Sequence, residues 1–470
     1  MIPTTSQAYQ LLHDGALCFA DCERHGIRID VPYFEKQLKH IQRRLDYEFD
    51  KFNKLPEVIE WGQWCNSKNL KLSIDSPQQL QHVLYKQMGH TPMVFTDTGN
   101  PSTNDEAMNL IGDTFCKTVT TIKRLQKLKN TYIRNIIDET VDGVLHPFFN
   151  LHTVTTYRSS SSSINFQNQP KRDKESSAII RKGFRPFPGA RIYEFDFKGA
   201  EISTCACLHR DPNMISYLED STKDMHWDLA REAYKLDDKD KTKGVRYMGK
   251  NGFIFPQFYG DYWKNCAESM WEATLHNDFV TADGTLVRDK MYERGITRLG
   301  KMLKRKGQSK IVEYPEPGTF LEHIKNIEDY FWHTMFPVYN QWKEDVWEQY
   351  QKRGYIDLIT GFRCSGVMRK NQATNIPVQG PSFHITLWTM IQVNRELQKR
   401  GMRSALMGQI HDAVLANVYP EEEDEVIELV HDYSTNIVKK HWDWIIVPLV
   451  IEGERSDIDG NWFEMEEFNV

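Results

Sequence analysis

Apolar residues along the chain follow two periods, one helical and one extended. Helical spacing runs through residues 8–53, with a break at the turn GIRID (26–30), and again through residues 119–138. Residues 215–360 also have a mostly helical pattern, and segments with strand patterns lie on either side of them. The chain is therefore predicted to combine many α-helices with strands from distant parts of the sequence.

Two of the strand patterns carry an aspartate at or near the strand end. In ARIYEFDF (190–197) the alternation places Asp196 on the face opposite the aromatic residues. Residues 405–418 predict two strands joined in a hairpin, with His411 and Asp412 at its tip. Mg²⁺ takes few protein ligands, so two carboxylates held on strand ends can support phosphoryl transfer. A single aspartate is more often a solvated or capping residue.

Composition narrows the class of protein. The 470 residues are 40% hydrophobic, which is enough for a well-packed core, and the net charge is −6. Any nucleic-acid surface must therefore be local. The eight cysteines are scattered, without the spacing of a disulfide framework or a zinc site, so a reducing cytoplasm fits best. The chain has no apolar run of membrane-spanning length and no signal-peptide pattern, so we expect no membrane association.

Basic residues cluster in two places outside the strands. The helix predicted at 119–138 carries four of them, Lys123, Arg124, Lys127 and Lys129. The second cluster is KMLKRKGQSK (301–310). Each cluster can bind the phosphates of a nucleic acid, and each can equally be a solvated surface.

A third group of cations has helical spacing. Arg246 and Lys250 are four residues apart and share one helix face. Two fixed cations on one face suit a triphosphate, whose charge must be met at several oxygens. The alternative is ion pairing with nearby acids such as Asp224 or Asp237.

Several motifs in one order resemble those of DNA polymerases of family A, the DNA polymerase I-like enzymes. The resemblance covers nearly the whole chain and is carried by TYRSSSSSINFQNQP (156–170), DFKGAEIS (196–203), RYMGKNGFIFPQFYG (246–260) and QIHDAV (409–414). Supporting segments are CERHGIRID (22–30), SIDSPQQLQHVL (73–84), KRLQKLKNTY (123–132) and VPLVIEGERSDIDGNW (447–462). One motif alone is weak, but this many in register is specific.

The resemblance implies an α+β protein with the right-hand polymerase fold. An antiparallel palm sheet would carry the aspartates, beside helical fingers and a helical thumb. The implied divisions are an N-terminal helical region and thumb (1–150), a first palm segment (151–214), the fingers (215–360) and a second palm segment (361–470).

The family's site residues carry over to matching positions. Asp196, Asp412 and the backbone carbonyl of Phe197 would hold two Mg²⁺ ions, with Mn²⁺ as a substitute. Glu201 would exclude the sugar 2′-hydroxyl, which implies deoxynucleotides. The triphosphate would be bound by His226, Arg246 and Lys250.

Other matching positions imply contacts with a DNA primer–template. Arg158 and Gln379 match residues that read the minor groove, where every base pair presents an acceptor. The remaining expected DNA-binding residues are Lys127, Asn165, Gln167, Asn168, Asn375 and His411. Asparagine and glutamine in loops are also common turn formers, which is the plainer explanation for several of them.

The sequence departs from the family pattern in the helix that carries the triphosphate cations. The family's aromatic positions, four and eight residues after the lysine, are Ile254 and Phe258 here, and Tyr259 comes one residue late. Pro256 also removes a helical N–H donor. We predict a π-bulge that places Phe255 against the incoming base and Tyr259 at the template.

A second departure lies at the hairpin, where Ala413 replaces the usual glutamate after His-Asp. The site would then depend on two aspartates alone.

The expected function is DNA-directed DNA synthesis, with 5′–3′ addition of dNTPs to a DNA primer. The chain begins where the family's 3′–5′ exonuclease domain would end, so no intrinsic proofreading is expected. The form is most similar to phage polymerases, which implies the host cytoplasm, and an exonuclease, helicase or primase could act in trans. Alternatives are a single-subunit RNA polymerase-like enzyme, a catalytically silent primer–template-binding accessory protein and, more weakly, a metal nuclease.

Overall fold

A computed structural model describes residues 4–96, 98–171, 173–306 and 311–470 of the chain. These residues form an α+β structure in which one antiparallel sheet is surrounded by helices. Within them, no helix combines the length and the apolar composition needed to cross a bilayer. All eight cysteines are buried and none of them forms a disulfide.

The N-terminal third is mainly helical. Its α-helices are α1 (Thr5–His25), α2 (Val31–Asn53), α3 (Pro56–Ser67), α4 (Pro77–Gln81), α5 (Asp105–Ile111), α6 (Thr114–Lys127) and α7 (Arg134–Glu139). Two π-helical segments extend α4 and α6, at His82–Gln87 and Leu128–Ile133. The predicted break at GIRID is a short strand, β1 (Ile27–Ile29), which starts a small sheet with β2 (Thr140–Val141), β3 (Val144–Leu145) and β6 (Phe184–Arg185).

The central sheet has the strand order β12-β13-β7-β14-β15. Its strands are β7 (Arg191–Phe197), β12 (Ala405–Ile410), β13 (Ala413–Val418), β14 (Ile451–Ser456) and β15 (Met465–Phe468). Strand β7 is the third of the five and so occupies the middle of the sheet. Both of its neighbours run antiparallel to it. Every residue of β13 is buried, because α1 and the long helix α18 (Lys370–Lys399) pack against this part of the sheet.

Between β7 and α18 the chain is largely helical, as the apolar spacing predicts. The helices are α9 (Ala200–His209), α10 (Pro212–Glu219), α11 (Met225–Tyr234), α12 (Lys243–Met248), α13 (Phe255–Phe258), α14 (Trp263–Ala273), α15 (Val287–Glu293), α16 (Phe320–Tyr330) and α17 (Pro337–Arg353). Gly249–Ile254 and Phe331–Met335 are π-helical, and Asp238–Asp240 is a 3₁₀ turn.

Two strand pairs interrupt this helical region, one at residues 302–315 and one at residues 355–365, and the first of them was not predicted. Strands β8 (Met302–Lys306) and β9 (Ile311–Pro315) pair with each other alone. Strand β8 contains residues 302–306 of the lysine-rich stretch at 301–310, and residues 307–310 lie outside the described part of the chain.

The remaining elements connect these units. They are the paired strands β4 (Phe148–Asn150) and β5 (Ser160–Ser162), the 3₁₀ turn Phe166–Asn168, α8 (Lys174–Arg181), the paired strands β10 (Tyr355–Asp357) and β11 (Arg363–Ser365), the 3₁₀ turn Pro420–Glu422, α19 (Glu423–His431), the π-helix Asp432–Ile437 and α20 (Val438–His441).

Candidate active site

Three neighbouring strands bring the two aspartates together. Asp196 of β7 is paired with Ala413 of β13 on one side and with Glu452 of β14 on the other. The Phe197 N–H lies 3.4 Å from the backbone carbonyl oxygen of Asp412, to which it donates. Residues from the middle and the end of the chain therefore meet at one place on the sheet.

The predicted hairpin is present, with Asp412 in its turn. Ile410 and Ala413 close the β12–β13 ladder, so His411 and Asp412 are the two turn residues. His411 has a φ of 53°, as a tight hairpin turn of this kind requires. Histidine and aspartate tolerate the left-handed region better than most residues, so the local sequence suits the turn.

Burial makes both carboxyl groups harder to ionise. Burial raises the pKa of Asp196 to about 6, Glu194 and Glu452 add to the rise, and Lys171 and Lys250 oppose it.

Burial likewise raises the pKa of Asp412 to about 6, with further increases from Glu201 and Asp196 and an opposing effect of Arg158. Among the described residues, no side chain or backbone donor hydrogen-bonds to either carboxylate. Two desolvated carboxylates that repel each other fit hard divalent cations, which take carboxylate oxygens and would offset both costs. No cluster of three or more acidic, histidine or cysteine side chains in the described ranges is arranged to hold an ion.

The predicted triphosphate cations lie on consecutive turns of one helical segment. Arg246 is in α12, and Lys250 begins the π-helical turn that follows it. Arg246 Nε donates to Asp224 at 2.7 Å, so the alternative of ion pairing holds for this residue. Burial and the charge of Arg246 lower the pKa of Lys250, whereas the negative charges of Asp196 and Glu452 raise it. Lys250 is therefore within electrostatic reach of Asp196.

His226 faces the same region from α11. Its Nε2 atom is buried and has no hydrogen-bond partner within the described structure. Burial and the charges of Arg246 and Lys250 lower the His226 pKa to about 4, so the ring is neutral at physiological pH. A neutral ring with an unpartnered nitrogen, under the influence of two cations, suits a ligand that carries negative charge.

The predicted π-bulge is present, one turn earlier than Pro256. The Phe255 N–H donates to the carbonyl of Lys250, five residues back, instead of four. Ile254 is 0% exposed and Phe258 is 9% exposed, so the positions at the family's usual spacing face the core. Tyr259 is 40% exposed.

Phe255 lies between the cations and the exposed tyrosine. The Lys250 ammonium is 4.9 Å from the centre of the Phe255 ring. The ring centroids of His226 and Tyr259 lie 6.2 and 6.1 Å from that of Phe255. The extra residue in the π turn therefore turns Phe255 and Tyr259 toward the cations and away from the core.

Glu201 connects the sheet side of the site to Tyr259. Its carboxylate accepts a hydrogen bond from Tyr259 Oη at 2.5 Å and forms an ion pair with Arg158. Arg158 Nε donates to the Gln379 carbonyl at 3.2 Å, and Asn375 Nδ2 donates to the Tyr259 carbonyl at 3.3 Å. Five residues predicted separately from sequence therefore form one network.

Of the other predicted DNA contacts, Gln167 and Asn165 lie in the loop around the serine run. Gln167 Nε2 donates to Ser159 Oγ and to Gln409 Oε1, both at 2.8 Å. Asn165 Oδ1 accepts a hydrogen bond from Ser161 Oγ at 3.2 Å. These contacts hold the loop around the serine run in place. Asparagine and glutamine acting as turn formers would make the same contacts.

Lys127 lies farther from the carboxylates, on α6. Its ammonium is 5.8 Å from the Tyr132 ring centre, and Tyr132 Oη donates to the Asn168 carbonyl at 3.4 Å. Arg124 on the same helix is paired with Glu175 at 2.8 Å, whereas Lys127 has no carboxylate partner in the described part of the chain.

Three residues near the aspartates were missed from sequence. Glu452 raises the pKa of Asp196 and Lys171 lowers it. Gln409 accepts a hydrogen bond from Gln167. Glu452 stands within the predicted closing strand, but only the register of β14 against β7 brings it opposite Asp196. The sequence signal that could have found Glu452 is its place in the alternating pattern of β14, between two buried residues.

The fold has a solved counterpart. The chain superposes with a TM-score of 0.72 on the POL domain of Pol1 from M. smegmatis, solved in complex with DNA primer-template and dNTP. The two are 21% identical, and the match covers 96% of this chain and 70% of that one. The architecture is thus the right-hand polymerase fold, as predicted.

Sequence comparison gives the family. Residues 43–273 and 320–462 match DNA polymerase family A, and the chain belongs to that family. Its relatives include the DNA polymerase I of Chloroflexus aurantiacus, 24% identical over 95% of this chain and 42% of that protein. Another is the DNA polymerase of Bacillus phage SP01, 24% identical over 90% of this chain and 47% of that protein. The chain thus spans less than half the length of these two relatives.

Proposed function

We propose that this chain is a DNA-directed DNA polymerase that adds dNTPs to a DNA primer in the 5′–3′ direction. The observation that carries the proposal is the convergence of Lys250 and Asp196. Lys250 comes from a helical region and Asp196 from the central sheet, yet each shifts the pKa of the other. A triphosphate between them would meet a cation at one end and metal-binding carboxylates at the other.

The carboxylates supply the metal-binding half of the site. Asp196, Asp412 and the Phe197 carbonyl would hold two Mg²⁺ ions, with Mn²⁺ as a substitute. When bound, the ions lower the pKa of the primer 3′-hydroxyl and stabilise the charge that develops on the pyrophosphate leaving group. The strand pairing of β7 and β13 holds the two side chains in place without rearrangement, which is the positioning that such a reaction requires.

The helical side supplies the triphosphate contacts. Within the described residues, Lys250 forms no ion pair or hydrogen bond and His226 Nε2 has no hydrogen-bond partner, so neither group has a partner to release before it binds a phosphate oxygen. Arg246 must first exchange Asp224 for the triphosphate. Asp224 also pairs with Lys241 at 3.0 Å, so it would keep a cationic partner after that exchange.

The sugar and the base would be selected by the network around Glu201. Arg158 and Tyr259 both contact the Glu201 side chain, and Tyr259 would keep Glu201 in place as a wall against a 2′-hydroxyl after Arg158 turns to the DNA. Phe255 would stack on the incoming base, and Tyr259 would lie at the templating base. A deoxynucleotide substrate, instead of a ribonucleotide, follows from this arrangement.

Primer–template binding would involve the remaining predicted residues. Arg158 and Gln379 would contact the minor groove of the newly formed pair, which requires Arg158 to release Glu201. Lys127 would contact the backbone of the duplex. The other proposed contacts are Asn165, Gln167, Asn168, Asn375 and His411. The bound DNA primer-template and dNTP of the M. smegmatis structure support these partners.

The same reasoning divides the chain into functional parts. We assign residues 1–150 to an N-terminal helical region and thumb, 151–214 and 361–470 to the palm, and 215–360 to the fingers. The central sheet falls within the two palm segments, and the triphosphate cations fall within the fingers.

Primer extension with isosteric variants tests the proposal. Asp196→Asn and Asp412→Asn should each abolish extension, because neither leaves two anionic ligands for the ions. Both should bind a DNA primer–template as tightly as the unmodified chain in a fluorescence anisotropy titration. Extension near the unmodified rate by either variant would overturn the two-aspartate assignment. Incorporation of rNTPs and dNTPs with equal efficiency would favour the RNA polymerase-like alternative.

A further inference from the structure

Gln409 is a buried polar side chain beside the hairpin turn that contains Asp412. It is 1% exposed and lies one residue before Ile410, where β12 ends. A glutamine amide carries two N–H donors and a carbonyl acceptor, and each is costly to leave unpaired inside a protein. The chemistry proposed above does not use this side chain. The partners of its amide therefore indicate its role.

The register of the sheet places Gln409 on the face opposite Asp196. Gln409 pairs with Val414, which pairs in turn with Phe195. Asp196 pairs instead with Ala413. Because neighbouring residues of a strand point to opposite faces, the Gln409 side chain points away from Asp196. Any effect of Gln409 on the carboxylates must therefore pass through the groups that its amide contacts.

One of these groups is the backbone of the turn. Gln409 Nε2 donates a hydrogen bond to the carbonyl oxygen of His411, the residue that precedes Asp412. His411 has a φ of 53°, a left-handed conformation that a residue with a side chain adopts only when its surroundings favour it. The His411 carbonyl belongs to the planar peptide bond that leads into Asp412. A hydrogen bond that fixes this carbonyl therefore also fixes the start of the Asp412 backbone.

The acceptor of the same amide is bound to the loop around the serine run. Ser159 Oγ donates to Gln409 Oε1 at 2.6 Å, and Gln167 Nε2 donates to it at 2.8 Å. Gln167 Nε2 also donates to Ser159 Oγ at 2.8 Å, so the three side chains form a closed set of hydrogen bonds. Ser159 directly follows Arg158, which like Gln167 is a proposed DNA contact. Gln409 thus connects the proposed DNA-binding loop to the turn that contains a proposed metal ligand.

Two local features of β12 allow this connection. A Cβ at Gly408 would lie 2.6 Å from the ring of Phe149, so the strand approaches β4 closely at this point. Phe149 pairs with Ser161 of β5, which belongs to the serine run. The ladder between β12 and β13 also has a bulge between Leu406 and Gly408, just before Gln409. Bulges of this kind re-aim the side chains that follow them, here toward the loop.

We propose that Gln409 is a positioning residue that holds the Asp412 turn in place for metal binding and links it to DNA bound at the loop. The proposal rests on the function proposed above, because it takes Asp412 as a metal ligand and Gln167 as a DNA contact. DNA that fixes Gln167 would also fix Gln409, and through it the turn. Groups that orient a metal ligand change metal affinity or activity by about tenfold to a hundredfold when they are removed.

The main test variant is Gln409→Met, which keeps the length of the side chain and removes the amide. In primer extension it should lower kcat by about tenfold to a hundredfold. The KM for dNTPs should stay unchanged, since the proposed triphosphate contacts lie on other elements. In an EPR titration of the DNA-free chain with Mn²⁺, it should weaken binding by about tenfold. Asp412→Asn gives the background of ions bound elsewhere on the chain.

Two further variants separate positioning from stability. Gln79→Met removes the amide of another buried glutamine, in α4, which donates to the Lys71 carbonyl and accepts from the Ser73 N–H, both at 3.0 Å. It should leave kcat and Mn²⁺ affinity unchanged. Gln409→Asn keeps an amide that is too short to reach both the turn and the loop, and it should change kcat and Mn²⁺ affinity in the same direction as Gln409→Met. Hydrogen exchange of the metal-free chain at residues 407–414 should be faster by about fivefold in Gln409→Met, as expected for one lost hydrogen bond, and unchanged in Gln79→Met.

The outcomes also separate this proposal from the polymerase function. An unchanged kcat and Mn²⁺ affinity in both Gln409 variants would overturn the positioning role, and so would an equal loss in Gln79→Met. An unmodified chain that does not extend a primer would overturn the polymerase function. Faster exchange at residues 407–414 and weaker Mn²⁺ binding in Gln409→Met would still support positioning in that case, because neither measurement requires primer extension.

Discussion

Replacement of Asp196 by asparagine separates the catalytic role proposed for this carboxylate from the effect of its burial on stability. Burial raises its pKa from 3.8 to about 6, and no hydrogen bond from the described residues compensates. An acid whose pKa is higher in the folded protein destabilises the fold once it ionises, by about 1.4 kcal/mol for each unit of pKa. The upper limit for Asp196 is therefore about 3 kcal/mol. Solvent screening at this partly exposed position reduces the expected gain from Asp196→Asn to about 2 kcal/mol.

The pH dependence gives the sign of the effect. The destabilisation is fully present above pH 6 and is absent below 3.8, the pKa of an unperturbed aspartate. In urea unfolding with EDTA, Asp196→Asn should therefore have a higher midpoint than the unmodified chain at pH 7.5. The difference should shrink as the pH falls through 6 toward 4.

A control and a metal titration complete this test. Asp345→Asn changes an exposed aspartate that accepts a hydrogen bond from Gln341 at 2.9 Å, and it should leave the midpoint unchanged. Mg²⁺ should raise the midpoint of the unmodified chain but not that of Asp196→Asn, because a bound ion stabilises only the state that binds it. An unchanged or lower midpoint for Asp196→Asn at pH 7.5 in EDTA would refute the reasoning, and so would a gain that does not depend on pH.

Three further substitutions test the nucleotide-binding half of the site. Lys250→Met keeps the apolar stem and should lower kcat/KM for dNTPs by about tenfold to a hundredfold. The control Lys239→Met, at an exposed position, should not lower it. Equal kinetics for the two variants would exclude the triphosphate role of Lys250. Glu201→Ala should raise the ratio of rNTP to dNTP incorporation by about tenfold or more in competition assays. An unchanged ratio would show that Glu201 does not exclude the sugar 2′-hydroxyl. Phe255→Ala should raise KM for dNTPs with little effect on urea unfolding. Phe258→Ala should lower the free energy of unfolding by about 3 kcal/mol or more. A stability loss in Phe255→Ala and a raised KM in Phe258→Ala would contradict the π-bulge register.

Local patterns predicted most of the secondary structure. Helical spacing of apolar residues located α1, α2 and the helices between β7 and α18, because burial of one face is a property of each helix alone. The π-bulge was also predictable, since one added residue and Pro256 lie within a few positions of each other. Its location one turn before Pro256 was not, because the buried packing of Ile254 and Phe258 decides which turn widens.

The β8–β9 hairpin shows where local patterns fail. Its strands are short and rich in lysine and arginine, so their apolar period is too weak to distinguish a strand from a solvated loop. Pairing between the two strands and attachment to α16 stabilise the hairpin. Neither interaction appears in the sequence of one strand.

The sequence by itself determined the residue types of the site, its motifs and their order, and these were sufficient to identify the family. The tertiary structure decided the electrostatics. Asp196 and Asp412 have raised pKa values because β7, β13 and β14 place them beside each other and beside Glu452, away from solvent. Arg158, Glu201 and Tyr259 form one network for the same reason. Charge interactions and burial depend on distances between residues far apart in the chain, and only the folded sheet and helices set those distances.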